Sequence, residues 1–164
     1  MAEKWGKVVV VIPALNEAEN IGDLVRETRA QPILRERDPI IVVDNGSTDD
    51  TATVALEAGA IVVSEPRRGY GAACAAGAAA ASDAEVIVFL DGDYSSLPVE
   101  IHRLLEPIQV GNADLVLGSR TRGTIAKGSM PPHQRFGNWL TSRLMQQLYH
   151  IDVTDLGPYR AIRK

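Results

Sequence analysis

The 164-residue chain suits one α/β domain with a single core, and 45% apolar with 23% charged residues is ordinary for a globular protein. A formal charge of −4 lacks the basic footprint of nucleic-acid binding. The single cysteine, Cys74, excludes an internal disulfide, and no apolar run approaches the ~20 residues that span a bilayer. The expected compartment is therefore the cytoplasm, since the opening residues 1–7 are short and polar rather than leader-like.

In chain order, residues 7–12 form a continuous β-branched run that predicts a strand buried on both faces, ended by Pro13. Residues 17–29 carry Ile21, Leu24 and Val25 at helical spacing. Residues 40–43 predict a second buried strand, and the turn after it offers Ser47 or Thr48 as cap of a helix closed by Gly59. Residues 60–64 read as a short third strand, and an alanine-rich helix runs from the glycine-containing turn at 65–71 to about residue 82. A fourth strand spans 85–90 and stops at Asp91-Gly92-Asp93. A helix over 98–110 starts at Pro98, with Pro107 expected to end it early, and a fifth strand spans 114–117. Strands alternating with helices predict a mostly parallel sheet with helices on both faces.

After Gly118 the pattern changes. Residues 121–132 are rich in Gly, Ser, Pro and Lys and predict a long loop, and residues 136–149 resume helical spacing through Trp139, Leu140, Leu144, Leu148 and Tyr149. The last quarter is basic: Arg120, Arg122, Lys127, Arg135, Arg143, Arg160, Arg163 and Lys164 stand against Asp152 and Asp155. Such a region suits an anionic substrate or a membrane surface, or is simply a solvated face. No closing element is evident at residues 162–164, so a single domain over 1–164, incomplete at its C-terminus, is expected.

In an open parallel sheet, ligands collect at the carboxyl ends of the strands. Those ends carry Pro13, Leu15, Asn16 and Glu17; Asp44 and Gly46; Asp91-Gly92-Asp93; and Gly118-Ser119-Arg120. Two carboxylates separated by glycine can both approach one hard divalent cation, Mg²⁺ or Mn²⁺, which keeps positions for phosphate oxygens and water. The alternative is a turn with two solvated aspartates. Asp44 can accept from a base N–H or a ribose hydroxyl, with Asn16 and Glu17 lining the same slot. The glycines near Arg68 do not match a dinucleotide fingerprint, because Cys74 occupies the third glycine position, although Arg68 can reach a nucleotide. The three histidines lack metal-ligand spacing.

These segments, together with residues 154–160, resemble family 2 glycosyltransferases of the GT-A superfamily, in the family's order across nearly the whole chain. The Gly118-Ser119-Arg120 and Thr154-Asp155-Leu156 segments are most similar to the dolichyl- and polyprenyl-phosphate sugar synthases. The resemblance implies a GT-A fold and an inverting transfer of a hexose from a UDP- or GDP-sugar. It implies that Pro13, Leu15, Glu17 and Asp44 contact the nucleotide, that Asp91 and Asp93 bind the diphosphate through the metal, and that Gly92 packs close to the donor. Arg120 and Arg135 correspond to arginines that hold an acceptor phosphate, which places a lipid-phosphate acceptor at the cytoplasmic face of a membrane among the expected partners. Asp93, Arg120 and Asp155 are the expected catalytic residues.

The chain departs from the family pattern at Asn45, where a second acid is usual, at Ser95, near a third metal-ligand position, and at Gly157-Pro158-Tyr159. An ionised phosphate acceptor attacks without a base, whereas a hydroxyl acceptor needs one, and Asp155 is the carboxylate available. A non-catalytic nucleotide-sugar-binding module is the reading from another class. A dinucleotide-binding oxidoreductase is disfavoured, because Pro13 and Asn16 stand where a glycine-rich first turn is required.

Overall fold

A computed structural model of the chain describes residues 6–118 and 157–164. Arg120, Arg135 and Asp155, the 121–132 loop and the 136–149 helix expected from the sequence lie outside the described residues. The chain divides into two compact units, Met1–Val116 with Tyr159–Lys164, and Leu117–Pro158. The first unit holds the sheet and its helices, apart from Leu117 at one strand end.

Its elements run β1 (Val8–Ala14), α1 (Ile21–Arg29), β2 (Ile40–Asp44), α2 (Thr51–Glu57), β3 (Ile61–Ser64), α3 (Tyr70–Ala80), β4 (Val86–Phe89), a 3₁₀ turn (Pro98–Glu100), α4 (Ile101–Gln109), β5 (Leu115–Leu117) and β6 (Arg160–Arg163). The sheet order is β3-β2-β1-β4-β6-β5. β1 pairs in parallel with β2 and β4, and β2 in parallel with β3, while β6 runs antiparallel to β4.

Strand alternation divides the core between the two faces of the sheet. Val8, Val10, Ile12, Val42, Val88 and Leu90 pack with Ile21, Leu24 and Val25 of α1 and Ile101, Leu104, Leu105 and Ile108 of α4. Val9, Val11, Ile41, Val43, Ile87 and Phe89 meet Ala73 and Cys74 of α3 on the other face. The alanines of α3 let it approach the strands closely. At Gly77 even a Cβ would collide with the Val11 side chain, so the smallest residue is required there. No described helix is long and apolar enough to cross a membrane.

Four sequence expectations are corrected. Pro13 does not end β1: it pairs with Val43, and the strand runs on through Ala14. Its missing N–H would point toward β4 at the end of the ladder, whose last rung is Leu90 N donating to Val11 O, so the proline costs at most one terminal rung. Pro107 does not end α4, which continues to Gln109. Losing one ladder bond costs about 3 kcal/mol in a helix interior, and burial of Ile101, Leu104, Leu105 and Ile108, at roughly 1.5–3 kcal/mol each, outweighs it. Ser47 and Thr48 do not cap α2; the N-cap is Asp50, without a side-chain bond, because both residues are engaged with Asn16. Finally, residues 160–163 are a strand inserted between β4 and β5, where no closing element was expected.

Candidate functional site

The carboxyl ends of β2, β1 and β4 lie side by side, as the sheet order requires. The first two loops are stitched together by three successive backbone N–H groups. Asn16 N donates to Ser47 Oγ (3.0 Å), Glu17 N to Thr51 Oγ1 (2.8 Å) and Ala18 N to Asp49 Oδ2 (3.2 Å). In return Thr48 N donates to Asn16 Oδ1 at 2.8 Å. These N–H groups are thus occupied within the protein, unlike the anion-binding amides of a glycine-rich phosphate loop. The same stitching holds Glu17 and Ala18 out of the helix, so α1 starts at Ile21 rather than at Glu17. The Thr51 hydroxyl is the main cause of the lowered Asp49 pKa, which keeps this carboxylate ionised as an acceptor.

Asn16 has a φ of 56°, a left-handed conformation that asparagine tolerates better than most residues. Its side chain serves the second loop, a role the sequence did not reveal. Asn16→Ala should lower stability by about 1 kcal/mol in urea denaturation, mainly from a left-handed backbone that alanine tolerates poorly, with the lost bond to the exposed Thr48 N–H adding little; Asn16→Asp, which keeps the acceptor, should stay near wild type. Unchanged stability with collapsed donor affinity in the alanine variant would instead make Asn16 a ligand contact.

Asp44 is half-buried and accepts from Ser47 N through Oδ1 at 3.0 Å, which fixes its carboxylate at the rim. Gly46, with φ 84°, turns the chain so that its carbonyl receives Arg68 Nη2 at 3.3 Å. Asn45 is buried and fully used: Nδ2 donates to Glu65 O and Arg67 O, both at 2.8 Å, and Oδ1 accepts from Gly69 N at 2.7 Å. The departure from the usual acid therefore has a local reason, because a carboxylate cannot donate to two carbonyls. Leu15 is exposed and Pro13 buried.

At the end of β4, Gly92 packs on β1. A Cβ there would lie 3.0 Å from Pro13 O and 3.5 Å from Glu17 Cγ, so the aspartate loop and the first loop are in contact. Both aspartates engage Ser95, whose N donates to Asp93 Oδ1 (2.9 Å) and whose Oγ donates to Asp91 Oδ2 (3.3 Å). Ser95 thus links the two carboxylates across the turn. Tyr94 between them and Ser95 has a φ of 60°. Its phenol pKa is pushed up to about 12 by burial, reinforced by Glu27. Tyr159 OH donates to Leu97 O at 3.1 Å and ties down the far end of the loop.

The donor set fits a small hard cation. It is all oxygen, and because no group of three acids, histidines or cysteines that could hold a metal occurs among the described residues, substrate phosphate and water would have to complete the shell. The structure thus gathers Pro13, Glu17, Asp44, Gly46, Arg68, Asp91, Gly92 and Asp93 at one edge.

Comparison with known proteins decides the family. The model for "Glycosyl transferase family 2" matches residues 9–164. The chain belongs to that family. It is 37% identical over 157 residues to an uncharacterized glycosyltransferase of Mycobacterium tuberculosis, covering 96% of this chain and 67% of that protein. It is 35% identical over 147 residues to the low-salt glycan biosynthesis hexosyltransferase Agl6 of Haloferax volcanii, covering 89% of this chain and 35% of that one. Among solved structures it is similar to glucosyl-3-phosphoglycerate synthase from Mycobacterium tuberculosis in complex with Mn²⁺, UDP-glucose and phosphoglyceric acid. That match has a TM-score of 0.70 at 28% identity and covers 96% of this chain and 56% of that one. The fold of this family 2 domain is accordingly the GT-A type, and the chain spans little more than half the length of the solved relatives it matches.

Proposed function

We propose that this family 2 domain carries the donor half of an inverting, metal-dependent glycosyltransferase that moves a hexose from UDP to a phosphate-bearing acceptor. The contact of Gly92 with Pro13 and Glu17 carries the reading, because it sets a two-carboxylate turn against the loop that flanks Asp44. The Mn²⁺, UDP-glucose and phosphoglyceric acid bound together in the similar synthase support the choice of donor, metal and acceptor class.

Asp44, with Ser47 holding one oxygen, receives the base or ribose, and Pro13, Leu15, Glu17 and Gly46 shape the slot around it, with Asn16 bracing the loop. Arg68 on the Gly46 carbonyl sits where it can meet the nucleotide. Asp91 and Asp93 would hold Mn²⁺ or Mg²⁺, which stabilises the negative charge developing on the departing diphosphate when bound. The acceptor oxygen forms the new bond to the anomeric carbon from the face opposite the leaving group. UDP departs with the electron pair of the broken C–O bond. Arg120 and Arg135 are proposed to orient the acceptor phosphate.

When that phosphate is itself the nucleophile, as in polyprenyl phosphate at a membrane surface, no base is needed. Phosphoglyceric acid in the similar structure carries a hydroxyl as well as a phosphate, which favours a second reading: the phosphate anchors, a hydroxyl attacks, and Asp155 takes its proton. Asp155→Asn separates them, with near-normal turnover under the first and loss of turnover with retained donor binding under the second.

The primary test is thermal unfolding with UDP or GDP, each with Mn²⁺ or with EDTA. UDP with Mn²⁺ at a hundred times its Kd should stabilise by about 2.7 kcal/mol, a rise of several degrees in Tm. Equal stabilisation in EDTA would remove the metal from the scheme, a larger rise with GDP would change the donor, and no rise with either would defeat the proposal.

A further inference from the structure

β6 brings a cation to the aspartate turn. Arg160 opens this strand and pairs with Phe89, the last residue of β4, two residues before Asp91. Its guanidinium carbon lies 5.1 Å from the Phe89 ring centroid. Phe89 packs in the α3-side core, so Arg160 lies on that face of the sheet. Guanidinium contact with an aromatic face positions the cation and leaves the donors in its plane to point elsewhere, one of them toward the Cys74 sulfur.

Tyr70 and Cys74, one turn apart on α3, complete the surroundings. The Tyr70 phenol pKa is raised, first by burial and then by the Asp91 carboxylate, with Arg160 pulling it down. The Cys74 thiol is likewise raised by burial, with Tyr70 and Arg160 opposing. Both groups therefore feel a positive Arg160 and a negative Asp91 from the same small region. Arg160 is only partly exposed, and none of the ion pairs among the described residues involves it.

We propose that Arg160 is a phosphate-binding residue, holding an oxyanion on the α3 side of Asp91. A fixed guanidinium there complements phosphate oxygens gathered at the two aspartates, and its fork suits two of them at once. The oxyanion belongs either to the leaving diphosphate or to the acceptor phosphate. The inference rests on the proposed glycosyltransferase activity and adds a protein cation to the metal as a charge partner.

Titration calorimetry on the full chain tests it, with wild type, Arg160→Ala and Arg160→Lys against UDP with Mn²⁺, uridine alone, and phosphoglyceric acid added to the Mn²⁺–UDP complex. The alanine variant should bind Mn²⁺–UDP at least tenfold more weakly, equal to about 1.4 kcal/mol, with uridine affinity unchanged and the lysine variant recovering only part of the loss, because an ammonium keeps the charge but not the stacked fork. That outcome assigns Arg160 to the donor diphosphate. Unchanged UDP affinity with weakened phosphoglyceric acid binding assigns it to the acceptor phosphate. Equal losses for uridine and UDP, or no loss for either phosphate probe, would overturn the proposal. Wild type that fails to bind Mn²⁺–UDP defeats the glycosyltransferase reading first, and this inference with it.

Discussion

Asp91→Ala and Asp93→Ala should each reduce hexose transfer by about 10²–10³-fold, a loss of roughly 2.7–4 kcal/mol of transition-state stabilisation. The expectation follows from the turn itself. Both carboxylates are anchored by Ser95, and no further acid joins them among the described residues, so neither has a substitute. Asp93 is exposed, and its loss should move Tm by no more than a few degrees. Turnover measured against Mn²⁺ concentration provides the check. A weakened site shifts the curve to higher metal before lowering its plateau. An Asp93→Ala enzyme keeping more than a tenth of wild-type turnover at saturating Mn²⁺ would show that the second carboxylate is dispensable.

Asn45→Asp should cost about 2–5 kcal/mol of stability at neutral pH. The amide at this buried position serves three backbone groups, two carbonyls and one N–H, and a carboxylate would face the carbonyls with no proton to give. Leaving buried acceptors unmet costs about 1–3 kcal/mol each, more beside a charge. Because Asn45 holds Arg67 and Gly69 on either side of Arg68, Mn²⁺–UDP affinity should fall as well. Urea denaturation and UDP titration of the same variant provide the two readings. Wild-type stability in Asn45→Asp would mean that the turn from Glu65 to Gly69 holds its shape without the amide.

Much of the scaffold was legible in the sequence because burial on two faces leaves an unbroken signature. The valines of β1 and the run before Asp91 can be little else than inner strands, and once their order is known, the polar residues at their ends fall on one edge. What the sequence concealed shares a cause: identical residue types serve different partners. Ser47 and Thr48 have the chemistry of helix caps, yet they answer Asn16 across a gap of about thirty residues. Pro13 has the chemistry of a strand breaker, but its missing donor falls at the end of the ladder. β6 is the extreme case. Only Ala161 of its four residues is fully buried, so its extended form is imposed by β4 rather than written into its own pattern. The acceptor side, assigned to Arg120, Arg135 and Asp155 by resemblance alone, remains a proposal.

The placement of β6 has a consequence for how the chain is made. Phe89 finds its neighbour Arg160 about seventy residues later, so the flank of β4 must wait while everything between is synthesised. At roughly 5–20 residues per second, that interval lasts about 4–14 s. Throughout it, a nearly finished sheet displays an open row of amides and carbonyls, which favours pairing with a stranger. Ribosome-bound intermediates halted before residue 160 should therefore be the aggregation-prone species, and pairing of residues 160–163 with β4 the event that ends the hazard.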